Sequence, residues 1–419
     1  MKTPKNTYHK VSSYEAKENI DKVLLLYSGG LDTSVMVKWI QEIYGAEVYA
    51  LTINVGQNEE DYNEIKQKAL KLGAKKAILV NAQEEFANEY LSKAIKANVD
   101  YQHGYHLFCP LGRAVISKKA VEIAQKEGIK IIAHGSTGKG NDQVRFDSYI
   151  TTLDPSIKIM APVREYSMTR QEELKYAKKH NIPIKARNTI YSYDQNLWGN
   201  SAEGSEICDV KLIPKMENIL IQNANIKDAI NAPSTITLEF EKGIPTKLNG
   251  HKLSLVNLIK SVGALGAAHG VGTKILTEDR IVGLKVRGVY EEPAAAILVE
   301  AHKELEKVVS TFEENDFKEM VDHKWAALCY RAKWHEPLMG DLNALIDKQN
   351  EKVSGIVTIQ VFKGNVYIMA IDSKYSLIDA NMASFDTHEF NQQASAGFIE
   401  HYSFQQKMAN TIAKQCELK

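Results

Sequence analysis

A hydrophobic run, Val23–Tyr27, leads directly into Ser28-Gly29-Gly30-Leu31-Asp32-Thr33-Ser34, and a helical pattern over Thr33–Ile43 follows at once. This strand–turn–helix restricts the possible folds more than any other stretch of the chain. Two adjacent glycines permit a tight turn and let a ligand approach the backbone closely. The helix then begins with N–H groups that have no partner inside it, and its dipole favours negative charge there. The same rhythm repeats through the first half. Strand-like runs at Glu47–Asn54, Ala77–Asn81, Lys130–His134 and Ile157–Ala161 alternate with helical patterns at Glu59–Leu72, Glu84–Ala97 and Leu111–Glu127. Short apolar strands separated by helices specify a parallel sheet covered on both faces. In such sheets ligands bind beyond the carboxyl ends of the strands, where the Gly29-Gly30 turn lies. Thr169 and Glu172 read as a capping box for a last helix, ending near Asn181 before Pro183. We therefore expect a doubly wound α/β nucleotide-binding domain over residues 21–185, after an N-terminal extension of residues 1–20.

Beyond residue 185 the rhythm changes. Ser234–Phe240 alternates, Gly243 and Pro245 interrupt it, and Lys247-Leu248 runs into an Asn249-Gly250 turn, a hairpin signal. Helices are expected over Ser254–Ala268 and Pro293–Ser310. A stronger hairpin follows, Val353–Phe362 and Val366–Ile371 about a Lys363-Gly364-Asn365 turn. Strands and helices without a βαβ repeat indicate a second, α+β domain, assigned to residues 186–392. The remaining 393–419 form a helical tail, weakly patterned over Ala396–Gln415, that docks on another subunit or lies on the surface. A chain of 419 residues is long enough for two such domains. Its 52 Lys and Arg balance 52 Asp and Glu, so no global field draws it to nucleic acid or membrane. An anionic ligand must be held by local geometry. The four cysteines, Cys109, Cys208, Cys329 and Cys416, are not in CxxC spacing and read as reduced thiols of a cytoplasmic protein. The first twenty residues lack an apolar signal core, and the longest clean apolar run, Ala294–Val299, is far too short for a membrane span.

The turn is not a Walker loop, because the GxxxxGK[ST] spacing and its Lys are missing. Ser28, Thr33 and Ser34 add hydroxyl donors. Asp32, a carboxylate in an anion-binding turn, either caps the helix or holds a magnesium ion between itself and phosphate. The whole string SGGLDTS after a hydrophobic strand resembles the PP-loop of the N-type ATP pyrophosphatases. That resemblance implies cleavage of ATP between its α and β phosphates, with Ser28, Asp32, Thr33 and Ser34 carrying the chemistry. It also implies ATP contacts along Tyr27, Ser28, Gly29, Gly30, Leu31, Asp32, Thr33 and Ser34, with ATP and Mg as the small-molecule requirements and no metal held by the protein alone.

A second loop leaves the strand Lys130–His134 as His134-Gly135-Ser136-Thr137-Gly138-Lys139-Gly140-Asn141-Asp142-Gln143-Val144-Arg145-Phe146. It faces the same crevice and offers hydroxyl, amide, carboxylate, ammonium and guanidinium groups together. A carboxylate ligand calls for Arg or hydroxyl donors, and an α-ammonium calls for an acceptor such as Asp142. The stretch closely resembles the HG(A/S)TGKGNDQVRF signature of the argininosuccinate synthase family. Further similar strings are Asn54-Val55-Gly56-Gln57, the segment Ser192 to Glu203, and the segment Glu278 to Tyr290. The resemblance spans about residues 23 to 335. It implies joining of citrulline and aspartate in a homotetramer, through a citrulline adenylate. By residue, it implies Ile53 and Gly135 against ATP, Thr137 and Asp142 against aspartate, and Asn141 against both amino acids. Tyr105, Arg145, Ser192, Ser201, Glu278 and Tyr290 are implied for citrulline.

Other members of the wider PP-loop group set the alternatives. A glutamine-dependent enzyme of the asparagine synthetase type needs a Cys after the initiator Met, where this chain has Lys2. A tRNA thiouridylase would use two distant cysteines, for which Cys109 and Cys208 are the candidates. A nucleotide sensor retaining the fold is a third, non-catalytic reading. The chain departs from one branch of the synthase family at Pro110, within Cys109-Pro110-Leu111-Gly112-Arg113, where a Ser is expected. A second departure is Leu26, where Ala is common.

Overall fold

Val23, Leu24 and Leu25 are fully buried, and their alternation sorts them onto two faces of one sheet. Leu24 and Leu26 join one apolar cluster with Leu51, Ile53, Phe108 and Leu111. Val23, Leu25 and Tyr27 join another with Val35, Met36 and Ile40. This computed structural model describes residues 20–57, 61–166, 169–183 and 190–417. Five strands, β1 Lys22–Leu26, β2 Glu47–Asn54, β3 Lys76–Asn81, β4 Ile131–Ala133 and β5 Lys158–Met160, make a sheet of order β3-β2-β1-β4-β5. Every neighbouring pair is parallel. The helix α1, Leu31–Tyr44, covers one face, and α3, Phe108–Glu127, covers the other. The α2 helix, Tyr62–Lys71, packs beside β3, α4 is Asp142–Leu153, and α5 is Arg170–Lys179. The doubly wound α/β expectation holds.

Element ends differ from the sequence reading in instructive ways. α1 starts two residues early because Gly30 serves as its N-cap. α2 starts at Tyr62, after Asp61, whose carboxylate accepts from the N–H groups of Asn63 and Glu64; residues 58–60 lie outside the described set. α3 starts at Phe108 and takes Pro110 into its first turn, where an N–H is not needed. The expected helix over Glu84–Ala97 is three pieces, Gln83–Glu85, a π-wound Phe86–Leu91 and Ser92–Lys96. The Thr169–Glu172 capping box forms as read. The expected boundary at residue 185 falls in 184–189, outside the described residues.

The second half holds two antiparallel sheets. One has the order β11-β12-β7-β6, from β6 Ser192–Asn196, β7 Gly199–Glu203, β11 Thr273–Asp279 and β12 Lys285–Glu291. The other has the order β10-β9-β8-β13-β14, from β8 Ser234–Glu241, β9 Ile244–Leu248, β10 His251–Lys252, β13 Gly355–Phe362 and β14 Asn365–Asp372. Gly243 and Pro245 do not interrupt the first hairpin as expected. Lys242 and Gly243, both at positive φ, form its turn, and Pro245 lies inside β9. Asn249-Gly250 makes the next turn, into β10. The long helices of this half are α6 Leu255–Ala268, α7 Pro293–Val309, α8 Phe312–Tyr330 and α9 Pro337–Asn350. One apolar cluster runs from Leu24 and Phe108 in the first half to Trp325 and Val357 in the second. The chain divides into two compact units between Tyr375 and Ser376. The second unit holds α10 Ala394–Tyr402 and α11 Phe404–Glu417, two helices where one was read, with no buried side chain in either.

Candidate active site

The strand order reverses between β1 and β4, and a cleft of about 1160 Å³ opens beyond their carboxyl ends. At the end of β1, Gly29 has φ of 77°, and its carbonyl accepts from Lys68 Nζ at 2.7 Å. The first helical bond of α1 runs from Ser34 N to Gly30 O, 3.1 Å, so the N–H groups of Leu31, Asp32 and Thr33 precede the ladder. Ser28 Oγ stands 3.2 Å from Thr33 Oγ1 and accepts from Gly30 N at 3.3 Å. Tyr27, Ser28, Gly30, Leu31, Asp32 and Thr33 line the cleft, together with Ile53 of β2. Gly29 and Ser34 do not. Ser34 is fully buried behind the turn, its hydroxyl 3.3 Å from that of Tyr27 and donating to Gly29 O at 3.4 Å. Asp32 is not the helix cap, because Gly30 holds that position. Its carboxylate lies in the first turn, on the cleft wall.

The second loop leaves β4 at His134. Ser136 N–H donates to His134 Nδ1 at 3.2 Å, so the ring proton sits on Nε2 and is donated to Asp147 at 2.8 Å. Arg164 donates to the other oxygen of Asp147 at 2.8 Å. Burial opposes ionisation of Asp147, but His134 and Arg164 outweigh it and hold the carboxyl below its ordinary range. Gly135 lets this loop approach α1; a Cβ there would lie 2.8 Å from Met36 Cε. Gly135, Thr137, Asn141, Asp142 and Arg145 all reach the cleft.

Asp142, at the start of α4, accepts from Arg113 Nε and Nη2 at 3.0 and 2.8 Å and from Arg145 Nη1 at 3.3 Å. Arg113 Nη2 also donates to Asp194 of β6 at 2.7 Å. One guanidinium thus ties α3 and α4 to the antiparallel sheet. Burial raises the Asp142 pKa, but the two guanidiniums overcome it and hold this carboxyl well below the usual range. Cys109, Asp142 and Asp194 stand close enough to share an ion, yet Arg113 already supplies the cation between both carboxylates. Arg113 and Asp194 line the cleft and were not assigned from sequence; Cys109, considered only as a sulfur carrier, lines it too. The signal was present, since Arg113 ends the Pro110-Leu111-Gly112-Arg113 string and Asp194 lies inside the Ser192–Ser201 segment. Cys109 occupies the cleft wall; Pro110 does not.

The opposite wall is the sheet β11-β12-β7-β6. Register places Tyr290 beside Ser201 and Asp194 across from the same residue. Ser192, Ser201, Glu278 and Tyr290 reach the cleft with Tyr105. Tyr290 hydroxyl donates to Glu278 at 3.1 Å, and the Tyr105 and Tyr290 rings are 4.9 Å apart. Burial raises the Glu278 pKa despite nearby Arg145. Arg280 reaches the cleft too, donating to both oxygens of Glu203 at 2.6 Å. All the candidate residues except Gly29 and Ser34 therefore converge on one cleft. It combines an anion-binding helix start, carboxylates and guanidiniums, a set suited to ATP and two amino acids.

Comparison with known proteins agrees across the chain. A family model described as the Arginosuccinate synthase N-terminal HUP domain matches residues 22–183. One described as the Arginosuccinate synthase C-terminal domain matches residues 191–409. The argininosuccinate synthase of Pyrococcus furiosus is 44% identical over 93% of this chain and 94% of its own length. That of Methanocaldococcus jannaschii is 43% identical over 91% and 96%. That of Caldanaerobacter subterraneus subsp. tengcongensis is 45% identical over 93% and 95%.

Proposed function

This chain belongs to the argininosuccinate synthase family, and from that premise we propose how its cleft divides the ATP-dependent ligation of citrulline and aspartate. The reaction releases AMP and pyrophosphate. The ureido oxygen of citrulline attacks the α-phosphorus of ATP, forming citrulline adenylate as the bond to pyrophosphate breaks. The aspartate amine then attacks the ureido carbon, and AMP leaves. A ureido oxygen is a weak nucleophile, so positioning and charge stabilisation supply the acceleration. Ser28, Thr33 and the free N–H groups of Leu31, Asp32 and Thr33 receive the departing pyrophosphate. Ser34 supports them from behind through Gly29 and Tyr27. Ile53 and Gly135 flank the nucleotide.

Thr137, Asn141 and Asp142 take aspartate, while Tyr105, Arg145, Ser192, Ser201, Glu278 and Tyr290 take citrulline. Asp142 binds and orients; two guanidiniums hold its carboxyl too acidic to accept a proton at neutral pH. Asp32, a carboxylate on the cleft wall in the first turn of α1, would hold a magnesium ion, since Mg²⁺ uses one or two carboxylates together with substrate phosphates. Bound there, the ion would neutralise developing phosphate charge.

The observation that carries this reading is a single cleft lined by both loops and by the antiparallel sheet. The tRNA thiouridylase and sensor readings are not favoured, because both domain models belong to the synthase family. The protein is further proposed to act in the cytoplasm as a homotetramer. No helix among the described residues is long and apolar enough to cross a membrane. The tail helices expose Phe398, Tyr402, Phe404 and Ile412, apolar surface of the kind that subunit contacts cover. Release of AMP and pyrophosphate from Mg-ATP, with citrulline and aspartate omitted in turn, tests the activity. AMP formation that requires both amino acids is expected; ADP formation, or AMP formation with neither, would reject it.

A further inference from the structure

The C-terminal end of α8 carries Tyr330, which does not line the cleft and belongs to none of the motifs that define it. It is 1% exposed, yet it touches two of the proposed amino-acid contacts at once. Its hydroxyl accepts from Asn141 Nδ2 at 2.9 Å and donates to the backbone carbonyl of Asp279 at 2.9 Å. Its own carbonyl lies 3.5 Å from Arg145 Nη2, and the Arg145 guanidinium stands 5.2 Å from the centre of its ring. The other face of this arrangement is fixed as well. Tyr101 stacks on Tyr330 with 4.0 Å between centroids and 13° between planes. Next to Tyr101, the Gln102 amide pairs with both the side chain and the N–H of Asp279, at 2.9 and 3.1 Å.

We propose that Tyr330 is a positioning residue for the amino-acid half of the site, setting Asn141 and Arg145 against the wall formed by β11. This rests on the reading of Asn141 and Arg145 as amino-acid contacts. Asn141 Oδ1 accepts from Ile281 N at 2.8 Å, which fixes one end of the amide. Its Nδ2 has the Tyr330 hydroxyl at 2.9 Å and only a longer approach, 3.4 Å, to Glu278. Ile281 N–H, which can only donate, decides which end of the amide is oxygen, and the hydroxyl pins the Nδ2 end, so that together they fix which atoms of Asn141 face the cleft. An aromatic ring without the hydroxyl keeps the stack on Tyr101 and the contact with Arg145 but frees the Nδ2 end of Asn141 and gives up the bond to the Asp279 carbonyl.

The test is steady-state kinetics on Tyr330→Phe, Asn141→Ala and the double variant, with thermal denaturation of each. In Tyr330→Phe the KM values for citrulline and aspartate are expected to rise about tenfold, the effect of one hydrogen bond, with the KM for ATP unchanged. In the Asn141→Ala background the same change should raise the amino-acid KM values by much less, because the bond to Asn141 is already gone and only the one to the Asp279 carbonyl is left to lose. Asn141→Ala deletes that bond from its other end, so the step is read even where one variant is poorly folded. Raised amino-acid KM values for Asn141→Ala with parental values for Tyr330→Phe, or additive effects in the double variant, would overturn the inference. So would a fall in kcat and melting temperature with all three KM values unchanged, the signature of a purely structural role. Unchanged KM values in Asn141→Ala would instead reject the site reading beneath it.

Discussion

Charge in this cleft is organised by a few side chains that face two ways. Arg113 joins Asp142 to Asp194 and so connects the loop after β4 with the antiparallel sheet. Its planar fork holds the two carboxylates in one fixed geometry; an ammonium can meet two carboxylates, as Lys118 meets Glu85 and Glu89, but without that fixed direction. Arg113→Lys should therefore retain the fold but reduce kcat/KM for aspartate and citrulline by about tenfold to a hundredfold. Parental kinetics in that variant would show that the bridge is unimportant. Asp147 lends itself to a different measurement. Its pKa is depressed in the folded protein, so its contribution is fully present above the ordinary carboxyl value of 3.8 and is lost as pH falls through the folded value. The stability advantage of the parent over Asp147→Asn should be constant above about pH 5 and shrink in more acid solution. Urea denaturation across that range measures it, and a gap that stays constant to pH 3 would refute the assignment. Most cleft residues were legible because they sit in strings dense with glycine and polar groups. Ser34, expected as an ATP contact, stands buried against Tyr27 and Gly29, and a hydroxyl beside a glycine turn reads identically whether it faces ligand or core.

Elements were legible where pattern and burial agree. The parallel strands are continuous apolar runs because both their faces are covered, and their order follows from the βαβ rhythm. α8 was not, and its sequence explains why. Lys318 and Asp322 are buried on its inner side, paired with each other at 2.7 Å and next to Glu306 and Asn98. Two charges on the covered face erase the amphipathic stripe that periodicity needs. The sheet β11-β12-β7-β6 was hidden differently, since its strands carry Ser192, Asp194, Ser201 and Glu278 toward a polar cleft and lack an apolar alternation. Between the elements, Gly56 holds a place that another residue could not. Its φ is 93°, and an added Cβ would meet Leu197 Cβ at 2.8 Å and Leu197 N at 2.9 Å. Leu197 N also donates to Val55 O at 2.9 Å, linking the end of β2 to the β6–β7 turn. Gly56→Ala should cost about 1–3 kcal/mol of stability in urea denaturation, through both strain and the lost link. A smaller change than 0.5 kcal/mol, about the noise level of neutral surface substitutions, would mean the link yields freely.

At the scale of the molecule, composition and rhythm indicated two architectures in sequence order, and both are present. What they did not indicate is how the two are joined. Phe86, Leu91, Ile95 and Phe108 come from the parallel-sheet half, and Leu258, Leu298, Trp325 and Val357 come from the other, yet all belong to one apolar cluster. Contacts between residues hundreds of positions apart leave no mark in local periodicity, which is why the join could not be read. For the nascent chain this join sets a schedule. When residue 185 has been polymerised, the parallel sheet has all its strands, but the surface bearing Phe86, Leu91 and Ile95 still lacks the helices and hairpin that cover it. Those arrive only with residues up to Val361, roughly ten to thirty seconds later at ordinary rates of translation. Throughout that interval the nascent chain displays an uncovered part of its core, the surface on which a holdase would bind until the last hairpin emerges.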